Sequence, residues 1–186
     1  MEKTDLSYLV SNVDIENKFQ GQHIEIVTYP ELKDYSDITE LVPEEISACF
    51  ILIRTSQNSG HWTVVARYHD NLYYMDSYGV KPDGELSHIS KSLRYELGED
   101  HNYLTSLLED TDMNVTYNDF QFQSYHADIN TCGKWCLVFV KAVFEGLTIK
   151  SFKAGIDHLK EIYKKDQPGV KDYIYDRIVS MLYETY

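Results

Sequence analysis

The sequence predicts an α+β fold, a central mixed or antiparallel sheet flanked by helices. Three observations point there. Strand-like segments dominate the first half of the chain. A helical stretch, one more strand and then only helices follow. No repeat, low-complexity run or linker divides the 186 residues, so one domain spanning 1–186 is expected, large enough to bury a real core.

Taken in order, residues 1–20 are polar with scattered apolar positions (Leu6, Tyr8, Leu9, Val10), compatible with a short helix. "HIEIV", 23–27, alternates as a strand does. "PELKDYSDITELVPEE" reads as loop or short capped helix. "ACFILIRT", 48–55, is continuously apolar, the mark of a strand covered on both faces. After the turn residues "SQNSG", "HWTVVARY" and "NLYYMDSYG" form a hairpin joined at His69-Asp70. "VKPDGELS" reads as a loop. From Ser87 to Leu108 the apolar residues recur at helical spacing, with Gly98 as a break. "MNVTYNDFQFQ", 113–123, reads as a strand. Cys132 to Phe144 is a strongly apolar helix stopped by Gly146. Helical segments at about 152–165 and 170–185 are separated by "DQPG".

Composition narrows the function. Hydrophobic residues make up 43% and aromatics 13%, including 16 tyrosines, which suit strands and half-buried surfaces. The formal net charge of −13 repels nucleic acid and anionic membrane, so neither is expected as a partner, while a basic protein partner would be steered inward. No apolar run approaches the roughly 18 residues of a membrane span. The start, Met1-Glu2-Lys3-Thr4-Asp5, lacks a basic-then-apolar leader, and the 3 cysteines show no disulfide-like spacing. A reduced, intracellular protein is expected.

Two places carry chemistry. His61 opens one hairpin strand and Asp76 lies near the end of the other. With the turn centred on Tyr68-His69, position 61 faces 76; centred on His69-Asp70, it faces 78 and Asp76 becomes a diagonal neighbour on the same face. Either register brings imidazole and carboxylate together, which fixes the ring and favours its protonated form. A purely structural His–Asp pair fits the same spacing.

The second place is "TCGKWC", 131–136. Cys132 as the first residue of a helix sits at the positive end of the helix dipole beside free N–H groups, which favours the thiolate. Gly133 would leave the backbone open to an approaching carbonyl. A metal site with Cys132 and Cys136, one turn apart, would need further ligands, and paired Cys-x-x-Cys sets are absent; no metal is expected. Cys136 and Cys49 read as core residues. His126 and Asp128 read as loop residues at the rim.

The chain order Gly60-His61-Trp62, Met75-Asp76-Ser77-Tyr78-Gly79, a glutamine, then Thr131-Cys132-Gly133-Lys134-Trp135-Cys136 resembles the cysteine-peptidase superfamily of adenovirus maturation protease and the SUMO-specific proteases. It is similar in feel to viral or mobile-element members and covers about residues 45–145, with a helical part at about 150–186 outside it. The resemblance implies a papain-like fold in circularly permuted order, His-Asp-Gln-Cys. It implies Cys132 as nucleophile, His61 as general base and acid, Asp76 as the residue orienting His61, and Gln123 (or Gln121) as oxyanion donor. Trp62, Gly133 and Tyr78 would line a narrow substrate channel. The implied activity is proteolysis after small, glycine-rich residues, with no cofactor, by a monomer in the host cytoplasm or a virion. The substrate would be a viral capsid or polyprotein precursor, or a ubiquitin-like modifier. An acyltransferase on the same Cys–His scaffold, or an inactive binding relative, are the other readings.

Overall fold

The computed structural model describes residues 5–186. The leader reading rests on residues 1–4 and lies outside them. Five strands form one mixed sheet in the order β1-β2-β3-β4-β5: β1 His23–Thr28, β2 Ile46–Arg54, β3 Gly60–Tyr68, β4 Asn71–Asp76 and β5 Asn114–Tyr117. β1 runs parallel to β2, β2 to β4 form an antiparallel meander, and β5 returns parallel to β4.

Both faces of the sheet are covered, which is why β2 is apolar without interruption. Ala48 and Phe50 face one core; Cys49, Ile51 and Ile53 face the other. The same alternation divides Trp62, Val64 and Ala66 from Val65 on β3, and Tyr73 and Met75 from Leu72 and Tyr74 on β4. The first core is built with α1 (Asn12–Lys18), α4 (Cys132–Phe144), α5 (Ile149–Asp166) and α6 (Ile174–Thr185). The second is built with 3-10 turns at Tyr29–Asp34 and Ile38–Glu40 and the short helices α2 (Lys91–Leu97) and α3 (Tyr103–Glu109).

The expected breaks fall where the chain needs them. Gly98 closes α2 with φ of 73°, and Gly146 follows α4 with φ of 86°. Two expectations are corrected. The strand read over 113–123 ends at Tyr117, and residues 118–123 leave the sheet irregularly. There the Phe122 and Gln123 N–H groups both donate to the Ser77 carbonyl, 2.9 Å each, so a turn of chain takes the bonds a longer ladder would have supplied. The loop read at "VKPDGELS" contains a 3-10 turn, Gly84–His88, that buries Glu85.

α4 is buried along almost its whole length, ten of its residues being inaccessible. Its Trp135 stacks on Phe122 at 4.4 Å and meets Phe152 edge-on at 6.4 Å. This fixes the start of α4 against the segment that carries Gln123.

Gly79 lets that segment approach. Its φ is +75°, and a Cβ there would lie 2.6 Å from the Phe120 carbonyl carbon. Gly79→Ala is therefore expected to lose about 1–3 kcal/mol of stability, read as a lower urea midpoint at unchanged m value. An unchanged midpoint would mean that the 118–123 segment is not held as described.

Candidate active site

The hairpin register comes first. Tyr68 pairs with Asn71 and Thr63 with Asp76, so the turn centres on His69-Asp70, the second of the two registers weighed from the sequence. His61 then lies across from Tyr78, with the two rings stacked at 4.9 Å, and Asp76 is its diagonal neighbour. The diagonal contact is made: His61 Nε2 and Asp76 Oδ2 are 3.0 Å apart. That leaves Nδ1 free toward the helix that begins at Cys132.

Asp76 is fully buried, and both of its carboxylate oxygens are engaged. Its second carboxylate oxygen accepts from the Tyr78 N–H at 2.7 Å. Its backbone N–H donates to Asn118 Oδ1 at 3.0 Å, while Asn118 Nδ2 donates to the Asp76 carbonyl at 2.6 Å and the Phe120 carbonyl at 3.1 Å. Asn118 thus pins Asp76 to the irregular segment by a two-way bond, a role nothing in the local sequence announces.

Cys132 begins α4 as expected, with its side chain nearly buried beside His61. Burial works against its thiolate. The attraction of the imidazole outweighs that, together with backbone groups at Trp62 and Gly133, and holds the thiol below its ordinary range. For His61, burial disfavours the charged ring, but Asp76 and the Cys132 sulfur overcome it and hold the imidazole well above its ordinary value. A lowered thiol and a raised imidazole both act in favour of a thiolate–imidazolium pair. The other two thiols behave oppositely: burial pushes Cys49 and Cys136 upward. Cys136 Sγ lies 3.4 Å from the Trp62 carbonyl, in the core, as read from the sequence.

Gln123 is buried and immobilised. Ser77 Oγ donates to its Oε1 at 2.7 Å, and its Nε2 donates to the Ile129 carbonyl and to Tyr78 Oη, 3.1 Å each. The bond to Tyr78 Oη is the replaceable one, since a substrate oxyanion could take its place. Gln121 is exposed and spends its amide on the Gln123 carbonyl, so Gln123 is the glutamine that faces the site.

Trp62 is buried, its indole N–H donating to the Val10 carbonyl at 3.0 Å. With Leu9, Val10, Leu52 and Gly60 it walls a groove of about 410 Å³ that reaches Cys132. The use of Gly133 is corrected. A Cβ at this position would lie 2.5 Å from Val10 Cβ and 3.1 Å from Trp62 Cδ1, so the space is filled by packing and is not an opening. Tyr78 is sandwiched between His61 and Tyr125, whose rings stack at 4.9 and 4.3 Å. His126 and Asp128 sit exposed at the rim.

Sequence reasoning missed Glu85, a buried carboxylate whose oxygen lies within 4.8 Å of ligand atoms of both His61 and Asp76. Burial, then the Asp76 charge, raise its carboxyl. The trio does not suit a cation, because both Asp76 oxygens are already committed to His61 and Tyr78.

No family model matches the chain. It is 33% identical over 156 residues to the "Uncharacterized protein V9" of the Sputnik virophage, covering 83% of this chain and 87% of that protein. Among solved structures it is similar to the ASFV protease (TM-score 0.49, 13% identity, 95% of this chain and 68% of that one). It is also similar to the yeast Ulp1 protease domain solved with SMT3, the yeast ortholog of SUMO (TM-score 0.39, 13% identity, 98% and 79%).

Iodoacetamide should alkylate Cys132 ahead of Cys49 and Cys136 at neutral pH, because the imidazole lowers the first thiol while burial raises the others. In His61→Ala the pull of the imidazole is lost while burial and the backbone groups remain, so the alkylation midpoint at Cys132 should move to higher pH, measured by peptide mass spectrometry. An unmoved midpoint would remove the pairing.

Proposed function

The chain belongs to the family of the Sputnik virophage protein V9, and we propose that it is a cysteine endopeptidase with Cys132 as nucleophile, His61 as base and acid, Asp76 as the group that orients His61, and Gln123 as oxyanion donor. The observation that carries this reading is the buried 3.0 Å His61–Asp76 pair set beside a thiol at the start of α4.

The reaction follows from the geometry. The Cys132 thiolate attacks the scissile carbonyl, forming an S–C bond. The Gln123 side-chain amide and the Cys132 backbone N–H receive the oxyanion, the first by exchanging its bond to Tyr78 Oη. Each such donor is worth about 2.7–4 kcal/mol. The C–N bond breaks as His61 gives its proton to the departing amine, leaving an acyl-enzyme. His61 then takes a proton from water, the hydroxide adds to the thioester carbonyl, and the C–S bond breaks to release the product acid, leaving the Cys132 thiolate beside the reprotonated His61. Asp76 stabilises the imidazolium at each stage.

The groove walled by Trp62, Leu9 and Leu52 is mainly apolar beside the nucleophile, which is compatible with small residues such as glycine before the cut. The virophage relative favours a viral precursor as substrate over a host modifier, and the −13 charge favours a basic one. Among the described residues no helix is long and apolar enough to cross a membrane.

Cys132→Ala should abolish cleavage of a glycine-containing precursor peptide without changing the fold, and Gln123→Ala should lower kcat by about 10²- to 10³-fold. Product mass spectrometry checks both. Undiminished cleavage by the Cys132→Ala protein would sink the assignment.

A further inference from the structure

The C-terminal helix holds a carboxylate that the chemistry above leaves without a task. Asp176, in the first turn of α6, is fully buried. It accepts from Thr131 Oγ1 at 2.5 Å and from the Ser124 N–H at 3.1 Å. The Trp135 indole N–H lies nearby but outside hydrogen-bond geometry, and that atom is otherwise without a partner.

The placement of these two donors is the point. Thr131 directly precedes Cys132, and Ser124 directly follows Gln123. One carboxylate therefore closes both ends of the 124–131 loop. The loop is closed again from inside, where Gln123 Nε2 donates to the Ile129 carbonyl at 3.1 Å. Residues 125–128 between these ties are exposed, and Tyr125 touches the site only through its stacking on Tyr78. The carboxylate is expensive to keep there: burial pushes its carboxyl upward against the pull of Thr131 and Ser124. An apolar residue of similar size would avoid that cost but would leave the Thr131 hydroxyl and the Ser124 N–H without this acceptor.

We propose that Asp176 is a positioning residue that fixes the distance between the Gln123 amide and the Cys132 N–H, so that α6 sets the geometry of the oxyanion site. This rests on the peptidase reading. The two donors come from opposite ends of an eight-residue loop, and displacement of either by about 1 Å is enough to cost on the order of 10²-fold in rate. The thiolate–imidazolium pair is held separately, by Asp76 and the start of α4, and does not depend on the clip.

That separation gives the test. A peptide aldehyde ending in glycine forms an oxyanion on the enzyme, whereas iodoacetamide needs only the thiolate. Asp176→Asn keeps one acceptor oxygen and turns the other into a donor, removing the charge; Thr131→Val removes one arm; Thr131→Ser keeps it. Asp176→Asn and Thr131→Val should lose about 10- to 100-fold in kcat and in aldehyde affinity, with KM and the iodoacetamide rate at Cys132 unchanged, while Thr131→Ser behaves as wild type. Aldehyde affinity unchanged in both folded variants, or iodoacetamide reactivity falling in parallel with it, would overturn the proposal. Should Asp176→Asn fail to fold by circular dichroism, Thr131→Val decides alone. A wild-type protein inert to both reagents would defeat the peptidase reading instead. The clip is then judged by amide hydrogen exchange at Gln123 and Cys132, where protection unchanged in Thr131→Val overturns it.

Discussion

The burial of the Asp76 carboxylate is the constraint on which the rest of the site depends. A carboxylate with no exposure must be fully hydrogen-bonded or it will take up a proton. Here one oxygen goes to His61 and the other to the Tyr78 N–H. Its own backbone is locked by Asn118. These needs explain features that otherwise look arbitrary. β5 stops at Tyr117 because Asn118 has to turn toward Asp76, and Gly79 is required where the returning chain crosses close behind.

From that fixed carboxylate the polarity of the site follows. Asp76 raises the affinity of His61 for a proton, and the resulting imidazolium stabilises a sulfur anion that burial alone would forbid. The helix start at Cys132 adds the same sign of field. Cys49 and Cys136 are as buried as Cys132 but have no such partner, and their thiols move the other way. Three free, buried cysteines in one small protein thus differ by neighbourhood alone, one thiol held low and two pushed up.

Much of this was legible in the sequence, for a physical reason. Strand alternation and turn residues act locally, so the hairpin could be laid out and the approach of His61 to Asp76 survived a one-residue doubt in register. The position of Cys132 at a helix start was legible because the apolar run from Trp135 to Val143 has helical length and a glycine stop. What stayed hidden was set by distant partners. Asn118 and Asp176 are ordinary polar residues in their own segments whose roles exist only through residues 42 to 52 positions away, and Glu85 reaches His61 and Asp76 from the 3-10 turn that follows β4. Gly133 was misread for the same reason, since the group that needs its missing side chain, Val10, comes from the N-terminal segment.

The proposed chemistry depends on a resting thiolate–imidazolium pair between Cys132 and His61. Ultraviolet absorbance of the thiolate, taken as the difference between wild-type protein and Cys132→Ala across pH, reads that pair without any assumption about substrate. A thiolate signal that is already present well below the ordinary thiol value of about 8.5 is the result predicted. A difference signal that emerges only above that value, with Cys132 ionising as an isolated buried thiol would, contradicts the account.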